Sequence, residues 1–155
     1  MHIFENIIIK LQLNFPEYYF QTKNEDGKKL IYDIIRKKFV SLTPEEWVRQ
    51  HVLCFLVQTK KYSAALIAVE REIKYNKLSK RFDVLLFDKY GKPLILIECK
   101  AFDVALTTKT LTQIATYNMN FKVPYLFVSN GLKHMLFVLN DKKEYIQTEL
   151  FPVAE

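Results

Sequence analysis

Asp83, Glu98 and Lys100 stand where the chain otherwise buries hydrocarbon. Asp83 lies in Arg81-Phe82-Asp83 at the start of the apolar run Phe82 to Phe87, and Ile97-Glu98-Cys99-Lys100 closes the run that begins at Pro93. Between the runs lies Asp88-Lys89-Tyr90-Gly91-Lys92, polar and containing a glycine, so the two runs read as strands of one hairpin. Two carboxylates held side by side repel unless a cation relieves them, and a hard cation such as Mg²⁺ takes oxygen ligands while keeping several waters. A lysine one step beyond can hold a phosphate or orient a water. The trio therefore has the group types for metal-assisted hydrolysis of a phosphodiester. A plainer account uses the same residues: a salt-bridged patch at a strand end, with Lys100 and Arg81 neutralising Asp83 and Glu98.

Register links the trio. Placing Asp88 against Pro93 sets Phe87 opposite Leu94 and Asp83 opposite Glu98, with Cβ atoms roughly 5 Å apart. Alternation then puts Asp83, Leu85 and Phe87 on one face with Leu94, Leu96, Glu98 and Lys100. Phe82, Val84, Leu86, Ile95, Ile97 and Cys99 fall on the other. Both faces are largely apolar, as in a sheet covered on two sides. A one-residue slip would undo the alignment.

Flanking elements must position this hairpin. Thr43 with Pro44 and Glu46 has the pattern of a capped helix start, and Val48, Val52, Phe55, Leu56 and Thr59 continue it as an apolar stripe. Glu45 projects to the side of Val48 and Val52, whereas Glu46 points toward Arg49 and Gln50 and serves the cap. Either acid also suits the positive helix N-terminus. A second helical pattern runs from about Thr107 to Asn118 and puts Gln113 and Tyr117 on one face. Packed over the strand ends, Gln113 can bond a catalytic group and Tyr117 can meet a phosphate or stack on a base; a surface Gln and a rim Tyr fit the spacing equally. Leu66 to Val69 reads as the strand before the hairpin, with Glu70 a salt-bridge former or a further acidic neighbour. Tyr125 to Ser129, Asn130-Gly131 and Leu132 to Leu139 form another hairpin.

The rest is less specific. Residues 1–40 hold Phe15-Pro16-Glu17-Tyr18-Tyr19-Phe20, a turn at Asn24-Glu25-Asp26-Gly27 and the basic stretch Arg36-Lys37-Lys38, read as a solvated face or a phosphate-tracking edge. Glu5 and Lys10 interrupt the first apolar run, unlike a signal peptide. The 155 residues are 50% hydrophobic, enough for one domain with a core, and the net charge of +6 suits a polyanionic partner. Cys54 and Cys99 both lie in apolar segments, as buried thiols of a reducing compartment do. No apolar run approaches the roughly 20 residues of a membrane span. His2, His51 and His134 do not combine with the cysteines at zinc spacing and read as surface or packed residues. Three glycines, far apart, make no phosphate loop.

Taken together, Asp followed by an apolar strand and Glu-x-Lys resembles the core of the PD-(D/E)xK nuclease superfamily. The stretches Thr43 to Gln50, Lys80 to Val84, Ile97 to Ala101 and Gln113 to Asn118 are similar to one branch, the N-terminal nuclease domain of type I restriction enzyme R subunits. The likeness covers roughly Ser41 to Asn140, and Gln113 and Tyr117 match its Gln-x-x-x-Tyr element. Phe82 stands where the signature has Pro. The resemblance implies an α/β restriction-endonuclease-like core, with a central mixed sheet of four or five strands flanked by helices. It implies one nuclease-like domain over residues 1–155, with core 41–140 and an N-terminal extension 1–40 packed on it. The expected activity is Mg²⁺-dependent (or Mn²⁺-dependent) DNA hydrolysis in the cytoplasm. Asp83 and Glu98 would bind metal, Lys100 would position water and phosphate, and Gln113, Tyr117 and Glu45 would support them. A non-catalytic DNA-binding or protein-interaction module on the same fold is the alternative. Lacking a Walker A sequence, the chain is expected to resemble the nuclease module alone, either working with a separate motor or specificity subunit or put to another nucleic-acid task.

Overall fold

Strands with two apolar faces organise the larger of two sheets. The computed structural model describes residues 11–155, so the readings placed on His2, Glu5 and Lys10 lie outside the described residues. A three-stranded antiparallel sheet comes first: β1 (Thr22–Glu25), β2 (Lys28–Asp33) and β3 (Lys38–Ser41). Asp26 and Gly27, at φ 50° and 74°, make the tight turn between β1 and β2, where the sequence placed one. Helix α1 (Pro44–Cys54) follows. Thr43 Oγ1 caps it by accepting the Glu46 amide at 3.1 Å, and the chain continues as a wider turn over Phe55–Thr59.

The second sheet has six strands in sequence order: β4 (Ile67–Tyr75), β5 (Leu78–Phe87), β6 (Pro93–Cys99), β7 (Tyr125–Ser129), β8 (His134–Leu139) and β9 (Tyr145–Thr148). All neighbours are antiparallel except β6 and β7, whose parallel pairing is bridged by helix α2 (Thr108–Asn118). Thr107 caps α2, one residue from the expected start. The fold is thus α/β with mixed strand directions. It exceeds the four or five strands expected, because β9 is short and half-exposed and β1 to β3 are rich in lysine. Neither carries much apolar signal.

Two cores cover the sheet. Val84, Leu86, Ile95, Ile97 and Cys99 pack with Val48, Val52 and Leu56 of the α1 region and with Leu13 and Ile31 from the N-terminal part. Leu85, Leu96, Leu126 and Val128 pack with Leu111 of α2 and with Phe121 and Val123. The β5–β6 register runs Leu86–Ile95, Leu85–Leu96, Val84–Ile97, as the sequence predicts; a bulge near the turn pairs Phe87 with Pro93 instead of Leu94. Asp88 explains the bulge, since its Oδ1 accepts the amides of Tyr90 and Lys92, both at 2.9 Å.

Strict alternation fails at one place. Phe82 packs with Leu85 and Leu96 and meets Phe121 edge-on at 5.2 Å, on the face opposite to the one expected. The β4–β5 ladder runs through Val69–Val84 and resumes at Arg71–Phe82, leaving Glu70 and Asp83 unpaired. Glu70 has φ 54°, a left-handed value that breaks the pleat. The break releases Asp83 from the ladder. The Asn130-Gly131 hairpin also differs: its loop spans four residues, because Asn130 Oδ1 gathers the amides of Leu132 and Lys133.

Candidate functional site

The β5–β6 ladder stops at Val84–Ile97, and the seam that opens there is lined by Asp83, Glu98 and Lys100. Asp83 Oδ2 accepts the Cys99 amide at 2.7 Å, a side chain standing in for a ladder partner. Its Oδ1 accepts from Arg49 Nη2 at 3.2 Å, so the carboxylate leans toward α1. Glu98 is buried and leans the other way. Its Oε1 accepts from Lys80 Nζ, which also donates to Asn118 Oδ1 of α2 at 3.3 Å. Alternation had placed the two acids on a single face. The break at Glu70 and Asp83 is what gives them different counter-ions, Arg49 and Lys80, in place of the expected Arg81 and Lys100. Arg81 instead pairs with Glu70, the salt-bridge role read for Glu70.

Electrostatics bind the pair despite this divergence. Burial pushes the Glu98 carboxyl up, the Lys80 ammonium offsets part of that, and the Asp83 charge adds to it. Glu45, in the first turn of α1, is raised by burial and then by the Asp83 charge, and it accepts from Arg49 Nη2 at 3.0 Å. Glu45 is therefore the helical acid that senses the seam. Glu46 turns inward, where Arg36 Nη2 and Arg49 Nη1 donate to it at 2.5 and 2.9 Å. Arg36 also donates through Nε to the fully buried Asp33 at 2.7 Å, and Gln50 Nε2 reaches the same Asp33 oxygen at 2.9 Å. For Asp33, hydrogen bonds from Arg36 and Gln50 outweigh burial and hold it below the usual carboxylate range. For Arg49, Glu46 and Asp83 outweigh burial and keep the guanidinium charged. Arg36 is thus an internal tie, not part of a solvated basic face.

Other expected residues sit around this centre. Lys100 follows β6, half-buried, and among the described residues its ammonium has no carboxylate within ion-pair distance; its charge nonetheless offsets part of the rise at both Glu45 and Glu98. Tyr117 is exposed, with Lys80 Nζ 5.1 Å from its ring centre, which ties it to Glu98 through the shared lysine. Gln113, one turn earlier, is exposed and bonds no seam residue among those described. Sequence reading passed over Lys80 and Asn118. Lys80 was hidden in a polar stretch, although it lies only three residues before Asp83. The buried thiols fit expectation: burial raises Cys54 to about 11 and Cys99 well above the usual range, so neither is a ready nucleophile.

Among the described residues, no group of three or more His, Cys, Asp or Glu side chains is gathered to hold a metal unaided. What the seam offers is two hard carboxylates, with the Asp83 charge disfavouring the ionised form of Glu98 and of the nearby Glu45. That donor set fits a cation that keeps most of its water, as Mg²⁺ does, and does not fit zinc.

The family model for the type I restriction enzyme R protein N terminus matches residues 44–152, more than half of the chain. The chain belongs to this family. The matched stretch of this R-protein N-terminal domain begins at the first residue of α1 and takes in the whole six-stranded sheet, and hence every seam residue named above. Asp33 and Arg36, which brace Glu46 and Gln50, lie before it. No curated protein matches the chain with significant similarity. No helix among the described residues is long and apolar enough to cross a membrane.

Proposed function

We propose that this R-protein N-terminal domain is a Mg²⁺-dependent DNA hydrolase of the PD-(D/E)xK type, with residues 41–140 as its restriction-endonuclease-like core. The observation that carries this reading is the seam itself: a sheet that opens between Asp83 and the buried Glu98 and is followed, two residues after Glu98, by a lysine that has no carboxylate within ion-pair distance among the described residues. Asp83 and Glu98 would hold the cation, which supplies Lewis-acid neutralisation of the phosphate and lowers the pKa of water. Lys100 places its ammonium against the scissile phosphate and orients the attacking water. Arg49 aims Asp83, Lys80 holds Glu98 and favours its charged form, and Tyr117 offers an exposed ring to the flanking nucleotide. Glu45 adds a third acid at the helix start, and Gln113 lies on the approach. The R-subunit context suggests DNA and companion subunits, a motor or specificity subunit among them, as partners.

Cleavage of supercoiled plasmid and of single-stranded DNA in Mg²⁺ or Mn²⁺ tests this. Wild type should cut, and Lys100→Ala should lose about 100-fold or more of the rate, with an unchanged melting temperature because Lys100 holds no ion pair among the described residues. DNA binding without cutting under either metal would make the domain a binding module.

A further inference from the structure

Beyond Glu70 the β4–β5 hairpin leaves the α1-side core and touches the α2-side core on one face only. Its ladder stays paired from Arg71–Phe82 to Tyr75–Leu78, so it is a two-stranded arm and not a loop. Arg71, Glu72, Lys74, Tyr75, Asn76, Lys77, Ser79 and Arg81 are exposed, and Phe82, Ile73 and Leu78 hold the arm's base on the α2-side core. Between Arg71 and Arg81 there are five cations and one acid, Glu72. Lys80 is taken by Glu98 and Arg81 by Glu70, while Glu72 holds the Ser79 hydroxyl. Arg71, Lys74 and Lys77 have no carboxylate within ion-pair distance among the described residues.

We propose that this arm, joined by Lys122, grips the phosphate backbone of duplex DNA and leads it into the seam. The inference rests on the nuclease reading for its choice of DNA. Lys122 Nζ lies 5.5 Å from the ring centre of Tyr75, and Lys80 Nζ lies 5.1 Å from that of Tyr117, so cations and exposed tyrosines alternate from the arm to Glu98. The six residue steps from Lys77 to Asp83 span roughly 20 Å at about 3.3 Å each, the rise of about six base pairs. Phosphates at that density would meet several of the arm's cations at once. A protein partner is the poorer fit, because interface cores are depleted in lysine and this surface has no apolar anchor beyond Tyr75.

Fluorescence anisotropy with a 30-base-pair duplex, in EDTA so that nothing is cut, reads the arm directly. Lys74→Glu with Lys77→Glu should weaken binding at least tenfold near 0.1 M salt and reduce the slope of log K against log salt by about 2. Neutral Lys74→Gln with Lys77→Gln should reduce the slope similarly with a smaller loss, and neither pair should alter the melting temperature. Reversal of Lys142 and Lys143, beside the opposite edge strand, should change little. Equal affinity for wild type and the Lys74/Lys77 variants, or no duplex binding by wild type, would overturn the arm. The nuclease reading fails separately: a wild type that binds through the arm but cuts under no metal leaves the arm standing and removes the enzyme.

Discussion

Lys80 decides the charge of Glu98. The carboxyl is buried and faces the Asp83 charge, both of which favour its protonated form, and Lys80 is the counter-charge in direct contact. Replacing Lys80 with Met should therefore let Glu98 take up a proton at higher pH. An opposite charge in contact favours the ionised carboxylate, so the acidic limb of the cleavage profile should move to higher pH when it is removed. Carboxyl-carbon NMR of Glu98 gives the same readout without catalysis. An unmoved titration would mean that Lys80 is only a surface neighbour. At this scale part was legible: the register of Leu86–Ile95, Leu85–Leu96 and Val84–Ile97 followed from sequence alone, but the ladder stops there, one pair short of Asp83 and Glu98. The counter-ions were not, because which cation reaches which acid depended on the backbone break at Glu70, and no residue type announces a non-glycine φ of 54°.

Helix α1 is the element that braces the seam, and its bracing comes partly from outside the family's matched stretch. Arg36, in the turn between β2 and β3, ties Asp33, Glu46 and Glu70 together. Glu46 in turn holds Arg49, and Arg49 holds Asp83. Removing Arg36 takes the only ion-pair partner among the described residues from the buried Asp33 and leaves Glu46 with Arg49 alone, and breaking a buried pair typically costs about 3 kcal/mol or more. Arg36→Met should accordingly lower the urea-unfolding free energy by that order, and the loss should be smaller in a variant that also carries Asp33→Asn and Glu46→Gln. Equal losses in the single and triple variants would show that packing, not stranded charge, dominates. Both helices could be placed from sequence to within a residue or so at their starts because Thr43 and Thr107 are caps with defined geometry. The Arg36 tie was not visible, since a basic run in a polar turn has the same composition whether it faces water or a buried acid.

At the scale of the whole molecule, residues 11–21 and the six-stranded sheet are joined across two uncharged histidines. His51 lies among Phe15, Tyr18, Phe20 and Trp47, with ring centres 4.5 to 6.2 Å away, and its Nδ1 donates to the Trp47 carbonyl at 2.8 Å. His134 Nε2 donates to the Asn14 carbonyl at 2.6 Å, and the ring lies 4.3 Å from Phe15. Burial lowers His51 to about 4 and lowers His134 as well. Because the folded pKa is depressed, the unfolded chain binds more protons below about 6.5, so stability should be fully present above that pH and fall as pH drops toward 4. For His51 alone the loss between pH 7 and pH 4.5 is roughly 2 to 3 kcal/mol. Urea unfolding at the two pH values, wild type against His51→Phe, isolates it from the carboxylates that titrate in the same range. The variant should lose less stability on acidification, even if its stability at pH 7 is lower for want of the bond to Trp47. A pH dependence identical in both proteins would mean that His51 is hydrated in solution and that the N-terminal segment does not seal it. The sequence showed three scattered histidines and an aromatic cluster; only the fold, by laying Phe15 between α1 and β8, makes two of them neutral ties.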